Sequence, residues 1–172
     1  HMWAKVDSPS RYNELKNKLT LNSLSKNLGQ FGETTHYGTA TLMQVKYGLQ
    51  FVCSSIKHDV WWEYCNHRWK QCDKASELRN LISTEVPTDY FNFIKELNNK
   101  ALKADPEEAK ELIESRKRVQ KAILQSQNRG FKDQVIKECG DLMKRQNFDT
   151  LLDSNVDLIG FENGVFDLKE ME

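Results

Sequence analysis

The sequence lacks the motifs of a nucleotide hydrolase, a primase or a membrane protein. No glycine-rich phosphate loop ending in Lys-Ser or Lys-Thr occurs in the 172 residues, which argues against a nucleotide-hydrolysis site of that kind. Paired aspartates with the spacing of a primase metal site are missing as well. No apolar run approaches the ~20 residues of a membrane span. No secretory signal is visible either, and His1-Met2 is interpreted as a cloning remnant.

Cysteines are few and irregularly spaced. The four thiols form neither a Cys-x-x-Cys pair nor a dense disulfide pattern, which predicts reduced thiols in a cytosol-like compartment. Cys53, Cys65, His67 and Cys72 could supply four zinc ligands. We favour buried or incidental cysteines and expect no metal, because Cys53 lies in a predicted strand that points its side chain inward. His67 is interpreted as a turn histidine, since nothing specifies a nucleophile or an orienting partner for it.

A net charge is also absent, because 25 Lys+Arg balance 25 Asp+Glu. This zero net charge conceals an uneven distribution of basic and acidic residues along the chain. Residues 110–147 hold 10 basic and 5 acidic residues, whereas residues 148–172 hold 1 and 7. A basic helical block before an acidic tail indicates a nucleic-acid contact or, alternatively, a basic face that pairs with the acidic end of the same chain.

Aromatic and β-branched residues are concentrated between Phe51 and Ser83, which includes three of the four tryptophans. Phe51–Ile56 and Val60–Cys65 are predicted to form a β-hairpin around the polar turn Lys57-His58-Asp59. Arg68 to Lys70 could add a short third strand. The chain therefore contains a small antiparallel sheet at Phe51 to Lys70.

Helical periodicity predicts most of the remaining chain. Leu24 to Thr35 is interpreted as a loop, and Asn-Gly at 163–164 predicts a hairpin between Leu158–Phe161 and Val165–Leu168. The fold class is thus α+β, mostly helical, with the small sheet and a C-terminal hairpin. The predicted helices are Ser10 to Leu19, Thr39 to Tyr47, one capped by Asp73 and ended by Pro87, one capped by Thr88, Asp105 to about Gln127, and a further helix carrying Phe131 to Met143 that can pair with it. Asp149 to Asp153 is interpreted as a short turn or helical piece.

Several of these segments carry a family resemblance. Phe-Val-Cys at 51–53, Trp-Trp-Glu-Tyr at 61–64 and Asn-His-Arg-Trp at 66–69 occur in the order found in the domain just upstream of the superfamily 3 helicase in primase–helicases of poxviruses and other large DNA viruses. Phage and plasmid primases carry a related domain. Trp3 to Pro9 is similar to the preceding linker, and Leu158 to Leu168 is similar to the segment that ends the domain. The middle, from about residue 89 to 146, matches only as a run of helices.

The resemblance implies a non-catalytic module of a viral replicative primase–helicase. It would link the primase to the hexameric helicase motor and assist assembly or DNA binding. Residues 1–23 would be a linker-like segment with a short helix, residues 24–147 the helicase-preceding domain, and residues 148–172 an acidic hairpin leading toward the motor. ATP and Mg are expected only in that motor.

The expected partners are weakly bound single-stranded or forked DNA, the adjoining primase and helicase domains, and further copies of the chain in the full-length protein. A membrane partner is not expected. The expected location is the host cytoplasm at the viral replication site, or the host nucleus. The alternative is a protein-interaction or oligomerisation module that never touches DNA; an autonomous enzyme is disfavoured because no convergent catalytic constellation is specified.

Two clusters carry the nucleic-acid hypothesis. In the first, cations interleave with Trp62 and Trp69, as single-strand binders require, although core packing of Trp69 and of either Trp61 or Trp62 is the competing interpretation. In the second, cations lie on and just beyond one helix, where they could meet phosphates. Arg116 interrupts an apolar row and is interpreted as structural. The candidate nucleic-acid-binding residues are Arg68, Lys70, Arg79, Lys117, Arg118, Lys121, Arg129 and Lys132.

Overall fold

The three-stranded sheet and the terminal hairpin predicted from the sequence are both present in the structure, within a mostly helical chain. A computed structural model describes residues 9–31, 35–66, 68–152, 154–155, 157–161 and 164–169. The elements in chain order are α1 (Pro9–Phe31), α2 (His36–Tyr47), β1 (Phe51–Ser55), β2 (Val60–Cys65), β3 (Arg68–Asp73), α3 (Ser76–Ala101), α4 (Pro106–Ser126), α5 (Arg129–Leu142), α6 (Phe148–Leu151), β4 (Leu158–Phe161) and β5 (Gly164–Asp167).

The sheet has strand order β1-β2-β3, and both neighbouring pairs are antiparallel. Because side chains alternate along a strand, directly opposed residues share a face. The inner face carries Phe51, Cys53 and Trp61, all at most 1% exposed, and packs against the helices. The Trp61 indole donates to Asp59 Oδ1 at 2.9 Å, so burying its N–H leaves no unpaired donor. Trp61 is therefore the core tryptophan, whereas the predicted core residue Trp69 is only half-buried on the outer face.

The helices pack in pairs around this core. α3 and α4 form a helical hairpin, and α2 packs on both α1 and α5. The predicted pairing of α4 with α5 is a minor contact, because α4 lies mainly along α3. A buried ion pair links α2 to α3, with Lys46 Nζ 2.6 Å from Asp89 Oδ2.

The prediction that Pro87 ends a helix is wrong, since α3 runs without a break from Ser76 to Ala101. A proline inside a helix removes one N–H and leaves the carbonyl four residues earlier without its partner. That carbonyl belongs to Ser83, and it accepts a hydrogen bond from Gln127 Nε2 at 2.9 Å. A side chain from the end of α4 thus satisfies the group that the proline leaves unpaired, and Thr88 lies within the helix rather than at a cap.

Two other boundary predictions also fail. Asp73 does not cap α3 but ends β3, and the chain turns into the helix through Lys74 and Ala75, both with positive φ and no capping side chain. Leu24, predicted to begin a loop, lies in α1 and is 4% exposed, so its burial outweighs the polar composition around it. Only residues 32–34 of that predicted loop fall outside the described part of the chain.

The C-terminal part begins against the sheet. Lys144 forms a parallel bridge with Cys53, and Phe148 at the start of α6 is 3% exposed. β4 and β5 then pair with each other as the Asn-Gly signal predicted, although Glu162 and Asn163 themselves lie outside the described residues. The division of the chain at residues 23 and 147 stays a prediction.

Candidate nucleic-acid interface

α4 presents a row of lysines to solvent. The helix begins where Asp105 Oδ1 accepts from the backbone N–H groups of Glu107 and Glu108, at 3.0 Å each. Its opposite side is buried, with Val119, Ala122 and Ser126 at 0% exposure. At 100° per residue, three lysines fall within about 40° of one another, directly away from that buried side. They are Lys110, Lys117 and Lys121, all exposed.

From Lys110 to Lys121 the lysine row covers eleven residue-to-residue steps of the helix, which corresponds to about 16 Å along the axis. Lys117 is paired with Glu114 at 2.7 Å, and the pair is exposed enough to be weak. The same contact lowers the pKa of the Glu114 carboxyl. Lys110, Lys121 and the neighbouring Arg118 make no ion pair within the described residues. The sequence prediction missed Lys110, although its spacing of seven and eleven residues from the other two lysines marks the same face.

A second basic group lies where α3, α4 and α5 meet. Arg79 forms an ion pair with Asp133 and thereby lowers the pKa of that carboxyl. Lys132 Nζ donates to Ser83 Oγ at 3.0 Å. Arg129, the first residue of α5, is exposed and makes no ion pair within the described part of the chain. The fold therefore brings these three predicted residues to the C-terminal end of α4, but Arg79 already has a partner.

Arg68 and Lys70 are exposed on β3, apart from the aromatic rings with which they were predicted to interleave. The register pairs Lys70 with Glu63 and Trp69 with Tyr64. Alternation therefore sends Arg68 and Lys70 to the same face as Trp61, and Trp69 to the other face. These two cations therefore do not share a face with the Trp62 and Trp69 rings, and they lie on a different element from the lysine row.

The outer face of the sheet carries an aromatic cluster that Phe148 already covers. The ring of Phe148 lies 4.8 Å from Trp69 and 6.2 Å from Trp62, in edge-to-face geometry. Tyr64 contacts Trp69 at 5.2 Å. The Trp62 indole donates to Asp149 Oδ1 at 2.7 Å, which fixes the start of α6 over the sheet. A nucleic-acid base would have to displace Phe148 before stacking here.

Three of the four thiols lie in environments that suit packing rather than chemistry. Burial raises the pKa of the Cys53 thiol, that of Cys72 to about 11 and that of Cys139 to about 12. Metal ligation and nucleophilic attack both need the thiolate, which this environment disfavours. Among the described residues, no three His, Cys, Asp or Glu side chains are placed to hold a metal, and His67 lies outside them.

Arg116 bridges two helices, in keeping with its structural interpretation. Its Nη1 lies 3.5 Å from Asn98 Oδ1 on α3, while its Nε is buried without a hydrogen-bond partner. The position on the edge of the buried stripe explains why this arginine does not belong to the lysine row. In the part of the chain that the structure describes, none of the helices is both long and apolar enough to cross a membrane.

Comparison with known proteins identifies relatives over most of the chain. The profile of the family described as "D5 N terminal like" matches residues 40–172. A protein of Acanthamoeba polyphaga mimivirus, named as a candidate helicase, is 42% identical over 169 residues, which cover 98% of this chain. A second protein named in the same way, from Frog virus 3 (isolate Goorha), is 26% identical over 166 residues and 79% of this chain. The chain spans 17% of the length of each relative.

Proposed function

Because the chain belongs to the D5 N-terminal-like family, we propose that it is a non-catalytic module of a viral primase–helicase that contributes weak, non-specific DNA binding. It would lie between a primase and a hexameric superfamily 3 motor and link the two. The helicase names of its relatives support an association with a viral helicase. ATP and Mg would bind only in the motor. The working location would be the viral replication site in the host cytoplasm, or the nucleus.

The observation that carries DNA binding is the lysine row of Lys110, Lys117 and Lys121. It is a straight, exposed row about 16 Å long, in a chain whose net charge is zero. Nucleic-acid phosphates are bound mainly by such side chains, with release of counterions. Arg118, one residue from the row, and Arg129, beyond the end of α4, would extend the contact.

The test is fluorescence anisotropy with a labelled single-stranded oligonucleotide. With three or four phosphate contacts and a slope near −0.7 per contact, raising salt from 50 to 200 mM should weaken binding by about 20- to 50-fold. The dissociation constant should lie at ~10⁻⁴–10⁻⁶ M at physiological salt. Lys117→Glu, Arg118→Glu and Lys121→Glu combined should abolish binding without unfolding, because all three side chains are exposed.

The matched control carries Lys57→Glu, Lys95→Glu and Lys103→Glu, three exposed lysines from three different parts of the fold. The change in net charge is the same, but no row is removed, so most of the affinity should remain. Equal loss in both variants would indicate only a general attraction to charge. If the α4 triple variant binds as the parent does, the module does not use α4 for DNA, and the protein-interaction alternative is favoured.

A further inference from the structure

The two edge strands of the sheet, β1 and β3, differ in whether their outer backbone groups are hydrogen-bonded. At the β1 edge, Cys53 N donates to Met143 O at 3.1 Å, and Arg145 N donates to Cys53 O at 3.0 Å. The segment around Lys144 therefore covers this edge as a short parallel strand would. No element of the described chain pairs with β3 on its outer side.

The hydrogen-bond pattern identifies which groups of β3 face outward. Tyr64 N donates to Gln50 O at 2.7 Å, so Trp62 and Tyr64 direct their backbone groups toward β1. The alternate residues of β2 must then bond to β3, through its residues Arg68, Lys70 and Cys72. The N–H and C=O groups of Trp69, Gln71 and Asp73 consequently point outward, in position to receive another strand.

The terminal hairpin of β4 and β5 also has outer backbone groups available for pairing with another strand. It is only two-stranded, with four residues in each strand, and an isolated hairpin of this kind is at best marginally stable. Leu158, Ile159 and Leu168 are 43–45% exposed. Leu168 N donates to Asp157 O at 2.7 Å, which places the outward backbone groups at residues 158 and 160 of β4 and at residues 165 and 167 of β5.

The positive charges on β3 restrict which strand can pair with its outer edge. Arg68 and Lys70 are exposed on β3, so pairing β3 with its own copy would bring like charges together. β4 and β5, by contrast, contain no basic residue, and Asp167 at the end of β5 is acidic. A hairpin strand laid against β3 therefore opposes neither cation with a like charge and can bring the Asp167 carboxylate near one of them.

We propose that the β4–β5 hairpin of one copy adds to the β3 edge of a neighbouring copy, extending its sheet from three strands to five. β3 pairs with neither hairpin strand of its own chain. The contact is head-to-tail, because it joins two different surfaces, and such contacts generate rings or open chains of subunits. The proposal rests on the sheet alone and holds whether or not α4 binds DNA.

The test is sedimentation velocity on the complete chain at low salt, from about 10 μM to 1 mM, since a contact this small is expected to be weak. The wild-type chain should show sedimentation coefficients that rise with concentration and fall with added salt. Gln71→Pro is the edge variant; it removes an outward N–H and no β2–β3 bond. Gly160→Pro with Val165→Pro is the hairpin variant, since residues 160 and 165 face each other in a pair whose backbone groups point outward.

Each variant alone should associate at least tenfold more weakly than wild type. Mixed at equal concentrations, the two should form a 1:1 dimer and nothing larger, because one intact edge then meets one intact hairpin. If Gln71→Pro disturbs the sheet by circular dichroism, Arg68→Glu with Lys70→Glu replaces it, which reverses the edge charge and keeps the backbone. A wild-type chain that is monomeric at 1 mM overturns the proposal, as does a mixture that fails to dimerise.

Discussion

Lys46→Met should be among the most destabilising substitutions of a polar residue in this protein. The Lys46 side chain is 6% exposed and that of Asp89 is 11% exposed, with 2.6 Å between Nζ and Oδ2. At an effective dielectric constant near 20, the attraction at this distance is about 6 kcal/mol before the cost of removing both charges from water is subtracted. Glu85, 3.5 Å from the same ammonium and 48% exposed, is a second carboxylate, which repels Asp89 and cannot replace the lost cation. Deleting one member of a buried pair typically costs about 3–5 kcal/mol, because the other charge is left uncompensated.

That loss is a large part of the ~5–15 kcal/mol that stabilises an ordinary domain. Urea unfolding followed by tryptophan fluorescence measures it, with exposed Lys95→Met as the control expected to change stability by less than about 0.5 kcal/mol. The double variant Lys46→Met with Asp89→Leu should be more stable than Lys46→Met alone, since no charge then remains buried. A Lys46→Met loss below about 1 kcal/mol, or a double variant that is merely the sum of its parts, would refute the reasoning.

The pH dependence has a defined sign. Burial raises the pKa of the Asp89 carboxyl, and the Lys46 ammonium opposes that rise. Without Lys46 the pKa should rise further. A carboxyl with a raised pKa in the folded state favours folding below its unfolded pKa of ~3.9 and loses that contribution as pH rises through the folded pKa. The deficit of Lys46→Met relative to wild type should therefore shrink as pH falls from 7 toward 4.

Two further predictions concern the sheet and the thiols. Trp61→Ala should lower the free energy of unfolding in urea by about 3–5 kcal/mol, and Trp69→Ala, at a half-buried position, by about half as much. A larger loss for Trp69→Ala than for Trp61→Ala would mean that the inner face is not the core. Ellman's reagent at pH 8 should modify half-buried Cys65 in the folded protein and leave Cys139 unmodified until unfolding. The pKa of the Cys139 thiol is raised to about 12 in the folded protein. Its contribution to stability is therefore complete below the ordinary thiol pKa of ~8.5 and falls as pH rises toward 12. Cys139→Ala should diminish this loss of stability at alkaline pH.

The sheet could be predicted from the sequence because its signals are local. Alternating β-branched and aromatic residues mark β1 and β2, and Asn66 in a tight turn leads into β3 with a positive φ of 49°. The prediction that Pro87 ends a helix was wrong because the deciding contact is not local. The donor that satisfies Ser83 comes from Gln127, 44 residues away in the chain, so the local rule was outweighed by a contact that only the folded structure creates.

The choice between Trp61 and Trp69 shows a similar limit. Alternation predicts that adjacent tryptophans face opposite sides of a sheet, but not which side is the core. That is decided by what covers each face: α5 and its neighbours on one side and, among the described residues, the short α6 with Phe148 on the other. The half-buried outer cluster is a secondary core, which the sequence alone does not distinguish from a stacking platform.

The basic block shows why a charge count is a poor guide to a binding surface. Residues 110–147 carry 10 cations, yet several are already engaged, because Arg116 reaches Asn98, Lys132 reaches Ser83, and Arg145 lies over the ring of Phe148. What distinguishes the lysine row is its angular position, opposite the residues of α4 that are fully buried. That position can be calculated from the sequence once the buried stripe is known, at 100° per residue. The contacts of Arg116 and Lys132 come from residues 18 and 49 positions away in the chain, so only the fold reveals that these two cations are engaged.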